Sequence, residues 1–261
     1  MRLLRSIPTL AACVLALSSS VINAAPIDLN DGQHAVHLPG TPKRVVVLEF
    51  SFLDSLAAVA VTPVGAADDG DANRVLPRVR QAIGQWKSVG LRSQPSIEEI
   101  ARLKPDLIVA DLNRHQALYS DLASIAPTLL LPSRGEDYQG SLKSAELIGK
   151  ALGKSAQMEA RIQKNRENLN AIAQQIPAGA SVLFGVARED SFSVHGPDSY
   201  AGSVLQAIGL NVPSVRANAA PTEFVSLEQL LALDPRWLLV GHYHRPSIVD
   251  SWRKQPLWQV L

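Results

Sequence analysis

Six loops of the chain hold side chains able to do chemistry, and five of the six hold a basic one. Next to short β-branched runs stand Glu49 and Phe50; then Arg92; then Arg114 and His115; then Arg134; then Arg188 with Tyr200 further on; and last His242, Tyr243, His244 and Arg245. A guanidinium is a planar fork of donors that fits paired oxygens, and each charge-assisted contact contributes on the order of 1.5–3 kcal/mol. Arg92, Arg114, Arg188 and Arg245 are therefore the leading residues for holding an oxygen-rich anion. Phe50 and Tyr200 could cover apolar parts of such a ligand. Glu49 would repel an anion unless paired with an arginine; it stands among the ligand-binding candidates, with orienting Arg92 or capping the following helix as the alternative.

A second chemistry competes. His242 and His244, with His195 or His115, could offer zinc ligands, but no carboxylate or third histidine stands at hydrolase spacing and there is no His-Glu-x-x-His. A Gly-x-Ser-x-Gly elbow and a phosphate-cradling glycine loop are missing as well. The expectation is a binding protein with no catalytic residues, no cofactor and no metal of its own.

Loops of this kind need a scaffold that points them at one another. Candidate strands at 44–48, 64–66, 107–110, 128–131, 181–186 and 237–241 alternate with helical stretches, the pattern of βα units and parallel sheets. Residues 141–176 contain no proline and are rich in Ala, Leu, Lys, Glu and Gln, which predicts one long helix. An internal repeat flanks it: Ser96-Ile97-Glu98-Glu99-Ile100 with Leu103, Pro105 and Leu107 recurs as Ser226-Leu227-Glu228-Gln229-Leu230 with Leu233, Pro235 and Trp237. A second echo relates 56–61 to 205–210. The chain thus reads as α/β, two related lobes at 25–136 and 181–261 joined by a helical connector at 137–180, with a cleft between them.

The amino terminus reads as a secretory signal over 1–24. Arg2 and Arg5 precede an apolar run from Leu10 to Leu17, and Ala24 offers a small residue at the cut. That run is too short to span a bilayer, which takes about 20 residues. Cys13 also ends a lipidation-like tetrapeptide, but a cut there would leave 14–17 as an apolar stub, so periplasmic export without a lipid is preferred. Cys13 is the only cysteine, so the mature fold cannot rest on disulfides. Without Arg2 and Arg5, 23 basic residues face 24 acidic ones, a formal charge near −1, which offers nucleic acid no electrostatic footprint.

Several runs resemble the iron-chelate and vitamin B12 family of periplasmic binding proteins: Pro42-Lys43-Arg44 with the valines after it, Asp54-Ser55-Leu56 ahead of Pro63-Val64-Gly65, Val89-Gly90-Leu91-Arg92 with Pro95-Ser96, and Leu103-Lys104-Pro105-Asp106-Leu107. The resemblance covers the mature chain and implies a class III clamp serving an ABC importer as a monomer. Asp68-Asp69, Gln229-Leu230-Leu231-Ala232 and Pro256-Leu257-Trp258-Gln259 imply ferric citrate as ligand, with another siderophore, haem or cobalamin as alternatives. It also implies that Glu98 and Glu228, one on each lobe, dock on the membrane permease. Family members continue for about forty residues beyond the point matching Leu261, so the second lobe is expected to be incomplete.

Overall fold

The computed structural model describes residues 25–177, 179–243 and 245–260; the signal segment and His244 lie outside the described residues. A hairpin of β1 (Ile27–Asn30) and β2 (Ala35–Leu38) precedes the first lobe. That lobe runs β3 (Val45–Val47), α1 (Phe50–Ala58), β4 (Gly65–Ala66), α2 (Pro77–Ile83), β5 (Lys87–Ser88), α3 (Ile97–Arg102), β6 (Leu107–Asp111), α4 (Leu112–His115), α5 (Tyr119–Ile125) and β7 (Thr128–Leu131). Its sheet is parallel in the order β5-β4-β3-β6-β7. Strands β3, β6 and β7 are buried at every position, as helices on both faces of a parallel sheet require.

The connector is two helices, α6 (Tyr138–Ala151) and α7 (Ser155–Ala173), which corrects the single helix expected over 141–176. At Gly153 the backbone turns left-handed, φ +64°. The Lys154 N–H then donates to the Gly149 carbonyl at 2.7 Å and the Gly153 N–H to that of Lys150 at 3.1 Å. That pair of bonds is a Schellman motif, which ends a helix by satisfying its last carbonyls. The chain folds back on itself, and a Cβ on Gly149 would come within 2.7 Å of the Met158 side chain. Helix α7 alone is roughly 28 Å long at 1.5 Å per residue.

The second lobe runs β8 (Val182–Ala187), β9 (Phe192–His195), α8 (Tyr200–Ala207), β10 (Thr222–Phe224), α9 (Leu227–Leu233), β11 (Trp237–His242) and α10 (Ile248–Trp252). Its sheet order is β10-β9-β8-β11, with β8 and β11 parallel and the other pairs antiparallel. Among the described residues β11 pairs only with β8, and its Trp237 and Leu239 are exposed. Each lobe has its own apolar core, built on Phe52, Leu53 and Leu56 in the first and on Phe192, Leu183 and Leu230 in the second.

The internal repeat is structural. Ser96 and Ser226 cap α3 and α9 by accepting from the N–H of Glu99 and Gln229, at 3.2 and 3.3 Å. Both helices end on left-handed residues, Lys104 and Asp234 at φ +45° and +42°, before the proline that leads into β6 or β11. In the second echo α1 and α8 end through Ala60 and Gly209, at φ +54° and +86°. The N–H groups of Val61 and Leu210 then close back onto Leu56 and Leu205.

Candidate ligand-binding site

The chain order β3, β4, β5 on one side and β6, β7 on the other makes the crevice between β3 and β6 a topological switch point, where open parallel sheets bind ligands beyond their carboxyl ends. Glu49 stands just past β3 there, Asp111 ends β6, and Arg114 and His115 follow it. Glu49 is 3% exposed. Its Oε1 lies 3.1 Å from Arg114 Nε across the crevice and its Oε2 3.3 Å from Arg92 Nη1. Although it occupies the cap position of α1, its side chain makes no cap bond; of the two alternatives to ligand contact, pairing with arginine is the one the geometry shows. Burial raises its pKa despite the charges of Arg114 and Arg92.

Arg92 is anchored more firmly than a fork waiting for an anion. Asp69 Oδ2 accepts from its Nε at 2.9 Å and its Nη2 at 2.8 Å, and Asp69 Oδ1 accepts from its backbone N–H at 2.8 Å. Its guanidinium lies 3.9 Å from the centre of the Phe50 ring, a cation–π contact. Burial alone would raise the Asp69 pKa, but the hydrogen bonds from Arg92 and the charges of Arg92 and Arg74 hold it below its ordinary value. Asp69 is presented by a tight loop after β4, where buried Asp68 accepts from Trp86 Nε1, from the Ser88 hydroxyl and from the Gly70 N–H.

The arginines of the first lobe are therefore accompanied by carboxylates. Arg74 and Arg92 pair with Asp69, and Arg92 and Arg114 with Glu49. What remains open is directional. Among the described residues the terminal nitrogens of Arg114 have no protein partner, whereas Arg92 keeps two of its five N–H groups.

Arg188 follows β8 on the second lobe, half-buried, with its guanidinium 5.2 Å from the centre of the Tyr243 ring and no ion pair among the described residues. Tyr243 follows β11 and is joined to the first lobe, because Arg74 Nη2 donates to its hydroxyl at 3.3 Å. Arg245 is exposed on the same loop, with no ion pair among the described residues. Tyr200 opens α8 and is 52% exposed. With Phe50, Arg74, Ser133 and Glu136 it lines a cavity of about 610 Å³ that runs between α1, α2, α6 and α7 toward Met158 and Ile162. Arg92, Arg114 and Arg188 are not among its walls.

His115 is buried, with both ring nitrogens engaged: Nδ1 accepts from the Asp111 N–H at 2.9 Å and Nε2 donates to the Arg92 carbonyl at 2.7 Å. It has no lone pair left for a metal. His242 Nδ1 is 3.0 Å from the Ser247 hydroxyl, and no cluster of three metal-ligating side chains occurs among the described residues. Asp68-Asp69 entered the sequence reading only through the resemblance, and Arg74 not at all. The signal was present in Asp68-Asp69 and Asp71-Ala72-Asn73-Arg74, a charged turn directly after a strand.

Burial lowers the His115 pKa below its ordinary 6.5, and burial lowers that of His195 too. Below pH about 6.5 the unfolded chain takes up protons that these folded side chains refuse, so stability falls as pH drops through that value. Thermal melting between about pH 7 and 5.5 should show the decline, and His115→Gln should flatten it; an unchanged slope would remove His115 from the account.

The matches to known proteins fit this architecture. A family model described as "Periplasmic binding protein" matches residues 45–261, and the chain belongs to that family; it is a binding protein, not an enzyme. It is 49% identical over 241 residues to the Fe(3+) dicitrate-binding periplasmic protein FecB of Escherichia coli, covering 92% of this chain and 80% of that one. It is 39% identical over 235 residues to the Fe(3+)-citrate-binding protein YfmC of Bacillus subtilis, covering 89% and 74%. In structure it resembles Staphylococcus aureus SirA complexed with staphyloferrin B, with a TM-score of 0.76 at 24% identity over 89% of this chain and 84% of that one. That likeness carries the fold, a class III clamp.

Proposed function

We propose that this protein is the periplasmic solute-binding component of an ABC importer, exported by the signal at 1–24, and that it captures a ferric chelate, ferric dicitrate first among the candidates. The observation that carries the reading is the arginine set held at the carboxyl ends of the strands in both lobes: Arg92 and Arg114 braced on Glu49 in the first, Arg188 in the second. In such a chelate the iron is already held by carboxylate and hydroxyl oxygens. The protein then needs donors for outer oxygens, not metal ligands, and guanidinium groups with spare N–H are suited to that. The identity to two ferric citrate-binding relatives supports this ligand over other siderophores, haem or cobalamin. Phe50 stacks on Arg92 beside this set, Tyr200 lines the adjoining cavity, Arg245 stands exposed on the loop after β11, and the protein works as a monomer.

Delivery rests on Glu98 and Glu228. Both are exposed in the first turns of α3 and α9, and the repeat puts them at equivalent points of the two lobes. A two-subunit permease can meet one on each side. Titration calorimetry of the mature protein with ferric citrate, iron-free citrate, haem, cobalamin and zinc tests the ligand. Ferric citrate should bind with a Kd of about 1 μM or tighter, near −8 kcal/mol. Binding of zinc with no response to any chelate would overturn the reading.

A further inference from the structure

We infer that Arg74 and Tyr243 form a latch between the lobes that closes on an anionic ligand and sets how slowly it leaves; this rests on the chelate reading above. Arg74 ends the short turn at 72–74, which is fixed because the Asp71 carboxylate accepts from the Asn73 N–H at 2.9 Å. Tyr243 is fixed from the other side, its N–H donating to the Ala187 carbonyl at 3.0 Å at the end of β8. Two rigid backbones from different lobes thus bring one guanidinium and one phenol together. Around them the side chains alternate: Arg92 over Phe50, Phe50 within 5.8 Å of Arg74, Arg74 on Tyr243, Tyr243 near Arg188.

The contact itself suits a part that changes partners. Tyr243 is 62% exposed and the Arg74 side chain 38%, and an exposed hydrogen bond of 3.3 Å holds little against water. In it the phenol oxygen accepts, so the phenol proton remains free to be donated. An anionic oxygen entering between the two can take that proton's hydrogen bond from one lobe and a guanidinium N–H from the other. Both are available together only when the lobes are close. A neutral ligand of the same size lacks the charge to draw Arg74 from Asp69, so the pair also selects for anions.

Stopped-flow measurement of ferric citrate dissociation from the mature protein, its Arg74→Gln and Tyr243→Phe variants and the double variant tests the latch. Each single variant should release the chelate roughly tenfold faster, and the double variant no faster than the worse single, as two groups acting as one unit do. Thermal melting of the unliganded Tyr243→Phe variant should match the parent, and that of Arg74→Gln should fall only by the loss of its pairing with Asp69. Unchanged release from both singles, or multiplied effects in the double, overturns the latch while leaving the chelate reading intact. Failure of the parent protein to bind ferric citrate overturns both.

Discussion

Replacing Glu98 and Glu228 together by alanine is expected to reduce chelate uptake in cells roughly a hundredfold, the scale of losing two charge-assisted interface contacts worth at least about 1.4 kcal/mol each. Affinity for the chelate and thermal stability should stay at the parent values. The separation of these readouts carries the argument. Each glutamate favours the positive end of its own helix only weakly, since both are exposed, and among the described residues neither is paired with the arginine set. A purely helix-end role would lower the melting temperature slightly and leave uptake alone. Normal uptake by the double variant at parental abundance would therefore refute docking. Each single variant should show an intermediate loss, since either lobe can still engage one permease subunit.

The arginines are expected to divide into two groups. Arg92→Ala should cost about 2–3 kcal/mol of stability, somewhat less than a fully buried pair, because the side chain is 17% exposed. Its removal leaves Asp69 without its main partner and buried Glu49 with Arg114 alone. Arg114→Ala and Arg188→Ala should each weaken ferric citrate binding roughly tenfold with a smaller change in stability, since their guanidinium groups hold the fold less. Denaturant unfolding paired with calorimetry checks the division. Equal stability of all three variants would mean that the Asp69–Arg92–Glu49 arrangement contributes nothing to folding, and unchanged affinity in all three would sink the arginine site.

The parallel strands were readable because burial on both faces leaves no room for polar residues: Leu107-Ile108-Val109-Ala110 and Thr128-Leu129-Leu130-Leu131 announce themselves. Strands β5 and β9 did not, since Lys87-Ser88 is two polar residues and Phe192-Ser193-Val194-His195 is too short to show a period. The connector was misread for a different reason. Helix propensity is continuous through Ala151, Leu152 and Lys154, and only Gly153, a residue helices tolerate, records the left-handed turn. Within the site, residue types located the arginines but could not say which were already satisfied. That depends on Asp69 reaching Arg92 from a loop 23 residues away in the chain, a tertiary fact with no local signature. The capping serines were legible for the opposite reason, because a cap is decided within four residues.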